Sequence, residues 1–243
     1  MRTLTSVVIA LTLAVVAGAQ SYPDTVDGHV AAAKAAAGSE YGGIVTRLCT
    51  APAPRPAASA APAPRPAGAP ARDTWYAKPV KVFDNLYFVG QTEYSAWAVT
   101  TSDGIIIIDP IFDYSVEEEV VNGLKSLGFD PNNIKYVLIS HAHSDHVGGA
   151  SYLQDRFNAK VIMSEADWTL LEGTRASWRK PRKELVATDG QKLTLGGTTL
   201  TLHLTPGHTL GTISTLIPVL DGATRHVAAY WGGTAFNLSL IHI

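Results

Sequence analysis

The chain has 243 residues, 46% of them hydrophobic, with 19 basic side chains against 21 acidic. That near-balance gives no basic stripe for nucleic acid and no acidic solvating tail, and a single cysteine excludes an internal disulfide framework. The length suits one ordinary domain with extensions.

Met1-Arg2, the apolar stretch from Leu4 to Val16 and the small residues Ala17-Gly18-Ala19 read as a secretory signal peptide over 1–19, cleaved after Ala19. Its apolar core is too short for a spanning helix, so the mature chain is expected to be exported, periplasmic or secreted, with no membrane segment. Residues 20–50 are expected to form a helical segment, with an alanine-rich helix over Asp27–Gly38 that Gly38 stops. Cys49 lies too far from the signal for lipid attachment; as an odd cysteine it leaves room for a partner elsewhere. The heptad Ala51-Pro-Ala-Pro-Arg-Pro-Ala57 recurs at 61–67, and 7 of the 14 prolines fall between 52 and 70. Residues 51–72 therefore read as an extended Ala/Pro-rich linker.

A folded domain is expected over 73–237. Val80–Phe83, Leu86–Val89, Ala96–Val99 and Ile105–Ile108 read as strands separated by Asp84-Asn85 and Ser102-Asp103-Gly104 turns. The all-apolar Ile105–Ile108 belongs in the centre of a covered sheet. Helical spacing over Val116–Leu127 ends at Gly128; Tyr136–Ser140 is a strand, Ala150–Phe157 a helix and Lys160–Met163 a strand. After a polar helix-and-loop stretch come strands near 192–204, 212–219 and 226–230. Strands first, then strands interleaved with helices, indicate an α/β sheet with helices outside.

The chemistry sits in His141-Ala-His143-Ser-Asp145-His146, delivered by the 136–140 strand. In an extended segment His141 and His143 point to the same side and can share a metal, while a turn can present Asp145 and His146 to a second. His208, in Thr205-Pro-Gly-His-Thr209, follows a turn that can swing it into the first position. Three neutral imidazoles with an open fourth position make a catalytic rather than a structural zinc. His29, His203, His226 and His242 have no such company.

This pattern, with Gly148-Gly149 and the downstream Pro-Gly-His-Thr, resembles the metallo-β-lactamase superfamily from about Trp75 to Asn237. The resemblance implies an αβ/βα sandwich with metals at one edge. It also implies Zn2+ on His141, His143 and His208, a second zinc on Asp145 and His146, and Asp109 supporting the site from behind the ligands. Several branches carry a bridging aspartate where this chain has Gly233, which weighs against glyoxalase II, lactonase and zinc ribonuclease activities. A subclass with a zinc-ligand cysteine is also disfavoured, since no cysteine follows Cys49. The best match is the β-lactamase subclass with Asp-His at its second zinc.

The implied reaction is hydrolysis of a β-lactam amide, a small-molecule substrate, by metal-generated hydroxide, the metal lowering the pKa of water from 15.7 to about 7. Asp145 would orient the nucleophile and handle its proton. Another ester, lactone or thioester substrate, a non-catalytic zinc-binding protein and an inactive fragment stay open. The subclass's second zinc needs a further histidine well beyond Phe236, so the second half of the sandwich is expected to be incomplete. Leu238–Ile243 back-translates as CTG TCT CTT ATA CAC ATC, which reads like a transposon-type sequencing adapter, so 238–243 is expected to be a non-native tail.

Overall fold

Residues 22–49 and 68–233 are described in the structure, a computed structural model. The expected signal peptide, most of the expected linker, the expected tail and His242 lie outside the described residues. The chain divides into two compact units, the second beginning at Ala67.

In the first unit, α1 (Val26–Ala37) opens where Thr25 accepts the Gly28 N–H. It closes at Gly38, whose φ of 52° suits a residue without a Cβ. A second helix, α2 (Gly42–Cys49), was not expected as a separate element.

The second unit has two sheets. The first runs β1 (Val80–Phe83), β2 (Leu86–Phe88), β3 (Trp97–Thr101), β4 (Gly104–Ile108), β5 (Ile134–Leu138), β6 (Lys160–Ser164) and β7 (Leu185–Ala187), in sequence order. It is antiparallel up to β4 and parallel from β4 onward. The second, fully antiparallel, has β8 (Lys192–Leu195), β9 (Thr198–Leu204), β10 (Ile213–Asp221) and β11 (Thr224–Tyr230) in the order β11-β10-β9-β8.

Strand β4 fixes the layers. Ile105 and Ile107 enter the core under the helices, whereas Ile106 and Ile108 enter the core between the sheets. This two-residue period is that of a strand covered on both faces. The helical layer contains a π-turn (Glu117–Val121) running into α3 (Asn122–Ser126), then α4 (Ser144–Val147), α5 (Ala150–Phe157) and α6 (Glu165–Gly173). They bury Val120, Leu124, Leu153, Trp168 and Leu171. The expected α/β sandwich is therefore present. No helix among the described residues is long and apolar enough to cross a membrane.

Four expectations shift. The 116–127 helix begins with a π-turn, where buried Glu119 accepts the Ala77 N–H at 2.9 Å. The strand expected at 136–140 occupies Ile134–Leu138, because the Ser140 N–H is taken by the carboxylate of Asp109 instead of a neighbouring strand. The short edge strand β7 was missed in a polar stretch that carries no periodic signal. The end of the expected linker belongs to the second unit: Pro70 accepts the Trp75 indole N–H, and Arg72 pairs with Glu118.

Candidate metal centre

Loops leaving the C-terminal ends of parallel strands β4 and β5 meet the loop after β9 and the end of β11. Such strand ends are where open α/β sheets build their sites. Asp109 follows β4, fully buried and held at φ 53°, a left-handed conformation costing a non-glycine residue about 1–3 kcal/mol. Four donors hold it there: the Ser140 N–H (2.7 Å), the Ser140 hydroxyl (2.6 Å), His146 Nδ1 (2.7 Å) and the Tyr230 hydroxyl (2.6 Å). Burial would raise its carboxyl, but the charge and hydrogen bond of His146 outweigh burial and keep it below the usual carboxylate range.

Ser140 sets the tautomer of His141. Its one hydroxyl proton goes to Asp109, so toward His141 Nδ1, 3.0 Å away, Ser140 accepts. His141 Nδ1 then carries the ring proton and Nε2 keeps a lone pair. That Nε2 is buried, with no hydrogen-bond partner among the described residues. Burial and the nearby charge of His146 lower the His141 pKa to about 3, so the ring is neutral at physiological pH.

His143 Nδ1 and His208 Nε2 approach to 3.0 Å. One ring nitrogen from each of His141, His143 and His208 lies within 4.8 Å of the other two. The three expected first-site ligands are thus brought together across 67 residues of sequence. Asp145 and His146 sit beside them, with the His146 ring 4.0 Å from that of His141 between centroids. They face each other: His146 Nε2 is 3.3 Å from the Asp145 carboxylate. Burial lowers the pKa of His146, but Asp109 and Asp145 override burial and push it up to about 10. Burial raises Asp145, yet its bond to His146 brings it down to about 2.

Sequence reasoning missed Ser140, Tyr230 and Asp167. Ser140 could have been noticed for its place directly before His141. Tyr230 and Asp167 carry no local signal, because each gains its role from a partner at least 25 residues away. Gly233 is close to the centre: a Cβ there would collide with the Cβ of His208. Any side chain at this position would therefore require His208 or the 233 backbone to shift.

Residues 89–221, more than half of the chain, match the family model described as the metallo-beta-lactamase superfamily. The chain belongs to that superfamily. It is 28% identical over 143 residues to a hydroxyacylglutathione hydrolase of Acidiphilium cryptum, an alignment covering 59% of this chain and 49% of the relative. Among solved structures it resembles BJP-1, a subclass B3 metallo-beta-lactamase of Bradyrhizobium japonicum, at 31% identity and a TM-score of 0.59 over 64% of this chain and 62% of that one. It also resembles the FEZ-1 metallo-beta-lactamase of Legionella gormanii, at 29% identity and a TM-score of 0.60 over 65% and 64%. The chain spans about half the length of the curated relative and under two thirds of each of these structures.

The cluster of His141, His143 and His208 fits the metal that this superfamily typically binds. A ligating imidazole must be neutral and its second nitrogen held by a neighbour, and His141 meets both conditions. The unpartnered Nε2 is a buried lone pair that a cation would satisfy.

Proposed function

We propose that the protein is an exported zinc hydrolase that opens the amide of a β-lactam ring. The observation that carries this reading is the convergence of His141, His143 and His208 around a buried, unpartnered imidazole nitrogen. Gly233, which offers no carboxylate where the other branches carry a bridging aspartate, and the likeness to BJP-1 and FEZ-1 support a β-lactam over other substrates. Export rests on the signal-like residues 1–19.

His141, His143 and His208 would hold one zinc; Asp145 with His146 would contribute to a second only once His146 gives up the proton that Asp109 and Asp145 hold on it. When bound, zinc polarises a carbonyl and acidifies water. In the reaction a water oxygen bonds to the carbonyl carbon, the C–N bond breaks and the nitrogen gains a proton. Asp145 suits the orienting of that water: its carboxyl, at about 2, is an ionised acceptor for a water O–H at neutral pH, and its side chain is 26% exposed, within reach of a substrate. Asp109 orients His146 directly and His141 through Ser140. Tyr230, pushed far up by burial and by the charge of Asp109, stays a neutral donor that anchors Asp109. A cleft of about 440 Å³ borders His208 and runs along Pro206, Leu216 and Trp231. This volume is in the range of small-molecule sites.

A second reading, hydrolysis of a thioester, lactone or other ester, is favoured by the likeness to hydroxyacylglutathione hydrolase. Purified protein supplied with zinc and offered a chromogenic cephalosporin, a lactone and a thioester decides between them. Cephalosporin turnover that disappears in His208→Ala and on chelation upholds the β-lactam reading. An intact cephalosporin with a cleaved thioester or lactone replaces it by the second, and no turnover of any substrate overturns both.

A further inference from the structure

Asp167 is fully buried on α6, yet its carboxylate is turned away from its own helix. Ser164 caps α6 by accepting the Asp167 N–H at 3.3 Å. An acidic residue three places after such a cap ordinarily turns back to the cap's own N–H. Here it reaches out instead. Oδ2 accepts the Ala142 N–H at 2.8 Å and the Thr209 hydroxyl at 2.9 Å, and Oδ1 accepts the Gly211 N–H at 3.0 Å.

The identity of these donors matters. Ala142 lies between His141 and His143, and Thr209 directly follows His208. One carboxylate oxygen therefore joins the two loops that carry all three imidazoles, one loop leaving the first sheet and the other the second. A backbone bond from Ile213 N–H to the Ser140 carbonyl (2.8 Å) runs alongside. Gly211 allows the approach, since a Cβ there would lie 2.6 Å from Asp167 Oδ1. Thr212 steadies the other partner, its hydroxyl oxygen accepting the Thr209 N–H at 3.0 Å. Hydrogen bonds to an ionised acceptor are shorter and stronger than neutral ones, so a buried carboxylate holds this spacing more firmly than an amide would.

We propose that Asp167 is a positioning residue that, through Ala142 and Thr209, sets the separation of the His141–His143 loop from His208 and thereby the zinc affinity of the centre. The proposal rests on the reading of those histidines as zinc ligands. The test uses the full chain, with zinc affinity measured by competition against a chromophoric chelator. Visible absorption of the Co2+-substituted protein and the melting temperature in chelator are followed in parallel.

Asp167→Asn and Thr209→Val are expected to weaken zinc binding about 10- to 100-fold, the usual effect of removing a partner behind the ligands, and to alter the Co2+ bands. Thr209→Ser, which keeps the hydroxyl, is expected to restore both. A residue that only stabilised the fold would lower the melting temperature in chelator without separating the two Thr209 variants in affinity. Equal zinc affinity for Thr209→Val and Thr209→Ser overturns the proposal, and that comparison stands even if Asp167→Asn does not fold. Failure of the zinc reading has its own signature: His208→Ala would bind zinc as well as the unaltered chain, which sinks both.

Discussion

Asp109 concentrates four hydrogen bonds on one buried carboxylate, and three of them end on the single oxygen Oδ2. Removing the donor from the second sheet, by Tyr230→Phe, is expected to cost about 1.5–3 kcal/mol in urea unfolding, the range for a hydrogen bond to a charged group. A loss below about 0.5 kcal/mol, the scatter of neutral surface changes, would show that Tyr230 does not anchor Asp109. Gly233→Ala places a methyl against the Cβ of His208. Zinc titration is expected to show at least about a tenfold weaker site, comparable with loss of a supporting partner, since the imidazole must move. The candidate ligands were legible because four of the five lie within six residues, where side-chain type and spacing are enough to single them out. Their supports were not. Asp167 and Tyr230 are unremarkable in sequence, and become part of the site only where separate strands end side by side.

Among the elements, β4 shows how burial ranks substitutions. Ile107 is fully buried under the helices, whereas Val227 on β11 is 67% exposed. Ile107→Ala is expected to destabilise by about 2–5 kcal/mol and Val227→Ala by no more than about 0.5 kcal/mol in the same unfolding assay. The π-turn adds a pH dependence. Burial lifts the Glu119 carboxyl from 4.5 to about 7, and its Oε2 is buried with no partner among the described residues. Between those pH values the folded chain keeps a proton that the unfolded chain has released, so stability falls as pH rises through the window. The difference converts to at most about 3 kcal/mol. Glu119→Gln, which stays neutral, is expected to melt above the unaltered chain at pH 8 and close to it at pH 4. Parallel melting curves at both pH values would refute the assignment. The helix itself was readable from its apolar spacing, but not the extra residue in its first turn, since periodicity records which face is apolar and not the hydrogen-bond pattern beneath it.

At the scale of the whole molecule, the centre spans the two sheets of the second unit, with His141 and His143 leaving the first and His208 the second. A ligand binding across them stabilises the folded state by mass action. Zinc at 100 times its dissociation constant contributes about 2.7 kcal/mol, which raises the melting temperature of a domain of this size by roughly 5–10 °C. Calorimetry with and without chelator checks this, and His208→Ala is expected to abolish the shift. A melting temperature indifferent to zinc would remove the metal from the second unit altogether.

The sequence by itself determined the candidate ligands, the covered central strand, the α/β class and the superfamily, because each depends mainly on residues near one another along the chain. Only the tertiary structure decided how those side chains are held. It turned Ser140 away from its strand and onto Asp109, left His141 Nε2 as a buried lone pair, paired Asp145 with His146 and set Gly233 against the Cβ of His208. Those outcomes depend on which strand ends meet and how deeply they are buried. Burial and distance fix protonation, tautomer and the room beside a metal, and neither quantity exists until the sheets are packed.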